Sequence, residues 1–289
     1  MSGQIPGSRG TATALVLGGI VSVQIGAAFA TTLFDDVGPG GTVFLRIGFA
    51  ALVLLAIWRP PLRLGAGTSR RDVLLLGAVL AGMNLSFYEA LERIPLGIAV
   101  TLEFVGPLGV AFVGSRGRLD LVWVGLAVAG LLLLSPVPGS ALDGLGCALA
   151  LLAGLFWGGY ILLTARVGQA FRGGAGLAIA MVVAAVAVTP VGLVDGGGEM
   201  LDARILAIGL AVALLSSALP YSLEMEALRR LPEGTFGVLM SLEPAVAATV
   251  GFVGLEQGLA PREVVAIALV LAASIGALRA TGTPRAPEA

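Results

Sequence analysis

YEALERIPLG at Tyr88–Gly97 returns as MEALRRLPEG at Met225–Gly234, in a chain that is otherwise nearly continuous apolar sequence. Glu89 matches Glu226, Ala90 matches Ala227, Leu91 matches Leu228, Arg93 matches Arg230, Pro95 matches Pro232 and Gly97 matches Gly234. One offset of 137 residues relates all of these pairs, and it also relates Pro107 to Pro244. Two copies of one membrane unit point to a carrier that holds its cargo between the copies.

Composition supports the membrane setting. Hydrophobic residues make up 57% of the chain and charged residues 12%, with a mean hydropathy of +0.99. That is too little charge to cover a water-soluble surface. The net charge is −1 and no basic run exists, which argues against a nucleic-acid partner. Cys147 is the single cysteine and there is no histidine, so neither a disulfide framework nor a Cys/His metal site can be assembled. All 17 cationic residues are arginine, which removes a P-loop lysine and a Schiff-base lysine. Nothing in the chain calls for a cofactor.

A membrane helix needs ~20 apolar residues at ~1.5 Å per residue. Ten segments qualify, roughly 12–33, 39–58, 72–93, 95–114, 119–135, 142–165, 173–194, 204–228, 233–254 and 262–280. Turn chemistry separates them at Asp35-Asp36 with Gly38-Pro39, Arg59–Pro61, Arg116–Arg118, Ser135–Pro138 and Gly196–Gly198. No segment alternates as a membrane strand does, so a barrel is not expected. Ala28–Ala30 resembles a signal-peptide cleavage site, but the apolar run before it is too long for an h-region, and an uncleaved span is expected.

Arginine placement orients the chain. With the N-terminus inside, thirteen arginines fall on the cytoplasmic side, among them Arg59, Arg63, Arg70, Arg71, Arg116, Arg118, Arg166, Arg172, Arg229 and Arg230. Only Arg93, Arg204 and Arg262 fall on the other, with the acids Asp35, Asp36, Asp195, Glu199 and Asp202. The expected fold is therefore an all-α integral membrane protein of ten transmembrane helices with both termini cytoplasmic. Its halves are residues 1–135 and 136–289. Five helices per half is an odd number, so the second repeat is inverted relative to the first.

Ionisable residues inside spans are costly and are functional candidates by default. Glu103, in TLEFVGP, and Glu243, in MSLEP, stand close to the equivalent prolines Pro107 and Pro244. Each proline withholds a donor from the carbonyl four residues back, here that of Glu103 or Met240, and a carboxylate beside a freed carbonyl suits a cation, an ammonium or a proton. Asn84, Phe87 and Tyr88 share one helix face, and Tyr221 and Glu224 hold the positions equivalent to Asn84 and Phe87. Trp157, Tyr160 and Gln24 are further lining candidates, while Trp58 and Trp123 read as interface anchors. Pro95, Gly106, Pro107, Pro232 and Pro244 are candidate helix breaks or hinges. Glu89 and Glu226 stand four residues before Arg93 and Arg230, and an ion pair at a helix end accounts for them. Arg46, inside the second span, either binds a substrate carboxylate or snorkels. Gly125/Ala129 and Ala272/Gly276 have the spacing of close helix packing or of a homodimer contact.

MNLSFYEALERIPLGIAV with TLEFVGPLGVAF, then LLSSALPYSLEMEALRRLP with TFGVLMSLEPAVAA, resemble the threonine/homoserine exporter branch of the drug/metabolite transporter superfamily, EamA-type carriers. The likeness runs from about Gly38 to Gly276. It implies an inner-membrane amino-acid exporter driven by the proton gradient. It carries over Asn84, Tyr88, Glu103 and Pro107 in the first half and Tyr221, Glu224, Glu243 and Pro244 in the second. The sequence departs from the family pattern at Glu89 and Glu226, and the loop around Glu256 carries an extra residue, Gly258.

The same fold with another cargo is an alternative: a drug, a purine or a phosphorylated metabolite, the last of which calls for several membrane-depth cations where only Arg46 is present. An intramembrane enzyme would need a catalytic histidine, a paired intramembrane aspartate, or a Cys/Ser with a base. There is no histidine, and the aspartates cluster in loops or at helix ends.

Overall fold

The structure, a computed structural model, describes residues 7–60, 70–113, 118–134, 143–240, 242–256, 258 and 260–282. All regular structure among the described residues is helical: α1 (Gly7–Thr31), α2 (Phe34–Trp58), α3 (Arg70–Leu91), α4 (Leu96–Glu103), α5 (Val105–Val113), α6 (Arg118–Leu134), α7 (Gly144–Ala170), α8 (Ala175–Gly196), α9 (Ala203–Ala213), α10 (Leu219–Leu228), α11 (Glu233–Met240), α12 (Glu243–Gly254) and α13 (Pro261–Gly282). A short 3₁₀ turn at Glu199–Leu201 precedes α9, and a π-helical turn at Leu214–Ala218 joins α9 to α10. Six stretches among the described residues are long and apolar enough to cross a membrane: Gly10–Thr31, Phe34–Trp58, Arg70–Leu91, Gly144–Ala170, Ala203–Leu228 and Ala175–Gly196. Leu96–Val110 and Val264–Ala273 are shorter apolar helices. The protein is a multi-pass, all-helical membrane protein. Pro61, Arg63, Arg116, Arg285 and the turn read at Ser135–Pro138 lie outside the described residues.

Local chemistry sets the helix ends. Asp143 caps α7, its Oδ1 accepting from Gly146 N at 2.7 Å, and Asp202 caps α9, accepting from Arg204 N at 2.8 Å. Pro95 precedes α4 and Pro232 precedes α11, and their carbonyls accept the first helical bonds from Ile98 and Phe236 at 3.0 Å. The turn residues Gly38-Pro39 do mark a break, with non-helical backbone at Gly38, although the stretch 34–37 before it is helical. Helix begins at Phe34 and is kinked at Gly38, whose φ of 66° only glycine takes without strain. Asp195 supports the kink by accepting from Gly40 N at 3.2 Å.

The principal packing pairs each join one half of the chain to the other: α2 with α8, α3 with α7, α1 with α10, α6 with α13, α4 with α12 and α5 with α11. The start of one broken helix meets the end of the other, so α4–α5 and α11–α12 run antiparallel. Glycine brings their backbones together. A Cβ on Gly97 would stand 3.2 Å from Ala248 Cα, and one on Gly237 would stand 2.8 Å from the Pro107 carbonyl oxygen. Gly276 serves packing within the chain, since a Cβ there would lie 2.3 Å from the Trp123 ring on α6. At the far end of α10, Arg229 donates to the carbonyls of Gly168, Phe171 and Gly173, tying α10 to the end of α7. Large apolar side chains such as Leu52, Val186 and Val194 point outward, as a lipid-facing surface requires.

Candidate functional site

The π turn organises the interior. Pro220 has no N–H to offer the Ser216 carbonyl four residues back, and the helix widens there so that Leu219 N bonds Leu214 O instead. Two carbonyls are left for other helices. Ser22 of α1 donates its hydroxyl to Leu215 O at 2.6 Å. Arg46 of α2 donates Nη2 to Ser216 O at 2.5 Å and Nε to Ser217 Oγ at 2.7 Å. Gly26 makes room for the turn, because a Cβ there would overlap Ser216 Oγ.

Arg46 lies at the centre of the 25-residue helix α2, at only 3% exposure. Its side chain is bonded to Ser216, Ser217 and Tyr221 of the facing helix and does not extend toward either end of α2 as a snorkelling arginine does. Its guanidinium lies over the Tyr88 ring at 5.1 Å and near the Tyr221 ring at 5.9 Å. Nη2 also donates to the Tyr221 hydroxyl at 3.2 Å. Nη1 makes no hydrogen bond among the described residues, which leaves two donors for an anionic group.

Around this cation is a cavity of about 50 Å³, enough for a few waters at the ~10–15 Å³ each needs. Glu103, Glu224 and Glu243 line it with Arg46, Asn84 and Tyr221, and Gln24, Phe87 and Trp157 complete the polar and aromatic wall. Asn84 and Tyr221 are repeat equivalents, and they meet: Asn84 Nδ2 donates to the Tyr221 hydroxyl at 3.2 Å. Tyr160 stands behind the wall and donates its hydroxyl to Glu224 Oε2 at 2.8 Å. Tyr88 is likewise behind it, beneath Arg46.

The three carboxylates differ in their partners. Glu224 is held by Tyr160. Glu243 Oε1 accepts from Gln24 Nε2 at 2.8 Å, while its Oε2 is buried without a partner, as is Gln24 Oε1. Glu103 makes no hydrogen bond or ion pair among the described residues. The Glu103 carbonyl is freed by Pro107. It faces α7, where a Cβ on Gly154 would stand 2.4 Å from it. Gly106 is pressed against the same helix, its Cβ position 2.1 Å from the Gly154 carbonyl oxygen. The freed carbonyl serves close helix contact.

Glu89 and Glu226 lie away from the cavity. Glu89 pairs with Arg93 at 3.7 Å, and Glu226 pairs with Arg229 at 3.0 Å and Arg230 at 2.5 Å. The sequence left Arg46 open and did not single out Ser216 and Ser217. The available signals were the central position of Arg46 in its span and Pro220 four residues after Ser216.

Residues 144–279 match the sequence profile of the EamA-like transporter family. The threonine/homoserine exporter RhtA of Escherichia coli (strain K12) is 46% identical over 264 residues, covering 91% of this chain and 89% of that protein. The chain belongs to the EamA-like transporter family, in its threonine/homoserine exporter branch. RhtA of Salmonella typhimurium (strain LT2) is also 46% identical, over 257 residues, 88% of this chain and 87% of that protein. A crystal structure at 18% identity shares this fold, with a TM-score of 0.72 over 95% of this chain and 100% of its own. Membership makes the protein a membrane transporter rather than an enzyme.

Proposed function

We propose that the protein exports small neutral amino acids, threonine and homoserine first, across the inner membrane in exchange for protons. The cavity supports this reading, because its charges match a zwitterion. The free Nη1 edge of Arg46 suits the substrate carboxylate, and Glu103, buried without a partner, suits its ammonium. Asn84, Tyr221 and Glu224 supply polar groups of the size that a side-chain hydroxyl needs. Glu103 and Glu243 are the residues that bind substrate or exchange the proton. The exporters that this chain matches at 46% identity carry the same substrates in their names.

The chain crosses the membrane ten times, as two inverted repeats meeting at residues 135 and 136, with both termini cytoplasmic. The antiparallel course of the two broken helices and the contact between Asn84 and its equivalent Tyr221 support this, since equivalent residues touch where a pseudo-two-fold axis passes. One repeat rocks against the other, exposing the cavity to each side in turn, with Pro95, Gly106, Pro107, Pro232 and Pro244 marking the breaks. Counterflow in proteoliposomes against a panel of labelled amino acids tests the cargo. Threonine and homoserine should exchange. If another solute exchanges while these two do not, the cargo is wrong.

A further inference from the structure

The two cavity carboxylates on the broken helices stand in different electrostatic surroundings. Glu103 is the last residue of α4, at a helix end that favours cations, and it lines the cavity with Arg46. Glu243 is the first residue of α12, at a helix end that favours a negative charge. Glu243 lines the same cavity as the carboxylates of Glu103 from α4 and Glu224 from α10 and the guanidinium of Arg46 from α2. From α1 it meets only the amide of Gln24. No cation among the described residues bonds to it, from α13 or any other neighbour. A buried carboxylate in that position is neutralised by a proton or by a bound cation.

Gln24 and Glu243 are 2% and 5% exposed, and each keeps one oxygen without a partner. An amide presents a donor on one side and an acceptor on the other. The charged carboxylate takes the Nε2–H bond seen here, at 2.8 Å. A protonated Glu243 has an O–H to give, and Gln24 Oε1 is the acceptor beside it. The ionised pair leaves both of those oxygens unpaired, and a proton on Glu243 Oε2 lets them bond to each other.

We propose that Glu243 carries the coupling proton, with Gln24 as its positioning residue, and that substrate is held separately at Arg46 and Glu103. This rests on the exporter reading. Hydronium on one side gives its proton to Glu243 Oε2 and leaves water, and on the other side water takes the proton back as hydronium. No bond to substrate is made.

The experiment compares wild type, Glu103→Gln, Glu243→Gln and Gln24→Met in proteoliposomes, each checked for a monodisperse fold, with labelled threonine as the probe. Two assays are run on each: counterflow at equal pH, and accumulation driven by a pH gradient. Glu243→Gln should lose gradient-driven accumulation entirely while losing about tenfold less counterflow than Glu103→Gln. Glu103→Gln should lose both, with counterflow down ~30-fold or more. Gln24→Met should displace the pH profile of driven uptake by about one unit, the scale of one charge-assisted hydrogen bond. Gln24→Asn should restore part of that profile. Gradient-driven accumulation surviving in Glu243→Gln overturns the proposal, as does an unmoved profile in Gln24→Met or a loss of counterflow in Glu243→Gln equal to that in Glu103→Gln. An inert wild type would sink the exporter reading and the proposal with it, so the two failures are told apart by the wild-type control.

Discussion

The two broken helices, α4–α5 and α11–α12, are built on one sequence plan but are used differently. They share Pro95 with Pro232 and Pro107 with Pro244. In the first, the carboxylate is Glu103, before the break, and Gly106 stands just beyond it as the second residue of α5. In the second, those positions are Met240 and Glu243. The neighbouring helices explain the exchange. At the first break, Gly154 and Gly158 of α7 lie against Gly106, leaving no room for a side chain. At the second, α1 offers Gln24, and the Glu243 side chain fills the space and bonds to it. A repeat thus conserves where a helix breaks, while the packing partner decides which side of the break can carry charge.

The largest expected effect comes from removing the cation that both breaks share. Arg46→Ala should lower threonine counterflow by ~100-fold or more, the scale of truncating a buried, hydrogen-bonded charge. Arg46→Lys should not restore it, because an ammonium cannot hold Ser216, Ser217 and Tyr221 as the planar fork does. Activity in Arg46→Lys near wild type would show that only charge matters.

Packing at the first break is tested next. Gly106→Ala should destabilise the detergent-solubilised protein by about 1–3 kcal/mol, the usual cost of overpacking. Gly109→Ala, where a Cβ meets nothing within 4 Å, should stay within about 0.5 kcal/mol of wild type. Equal melting temperatures for the two variants would break the argument that α7 keeps the first break free of side chains.

Much of this was legible in the sequence, and the reason is physical. Apolar runs and turn residues report helices directly, because an uncharged run of membrane length has few other solutions. Buried carboxylates stand out for the same reason, and Glu103, Glu224 and Glu243 converge on one cavity with Asn84, Tyr221 and Trp157. Arg46 was harder, since a lone arginine in a span reads equally as a snorkelling residue until its partners are known. The π turn was harder still. Its origin is the missing N–H of Pro220, but its consequence, two carbonyls turned to α1 and α2, depends on which helices lie alongside. Gly38 and Pro39 interrupt the helix as turn residues do, but the helical turn at 34–37 before them has no apolar run to announce it.

The shared repeat acids should matter least. Glu89→Gln and Glu226→Gln remove partly exposed pairs worth less than about 1 kcal/mol, so counterflow should stay within about twofold of wild type. Met240→Leu, at the position equivalent to Glu103, should also stay within about threefold, since volume is kept and no charge is lost.

The central claim is that the chemistry lies in the unequal carboxylates of the cavity and not in the acids the two repeats share. Equilibrium binding of labelled homoserine to purified wild type, Glu103→Gln and Glu226→Gln tests it most directly. Binding should be lost in Glu103→Gln and kept in Glu226→Gln. Undiminished binding by Glu103→Gln, or its loss in Glu226→Gln, would contradict the account.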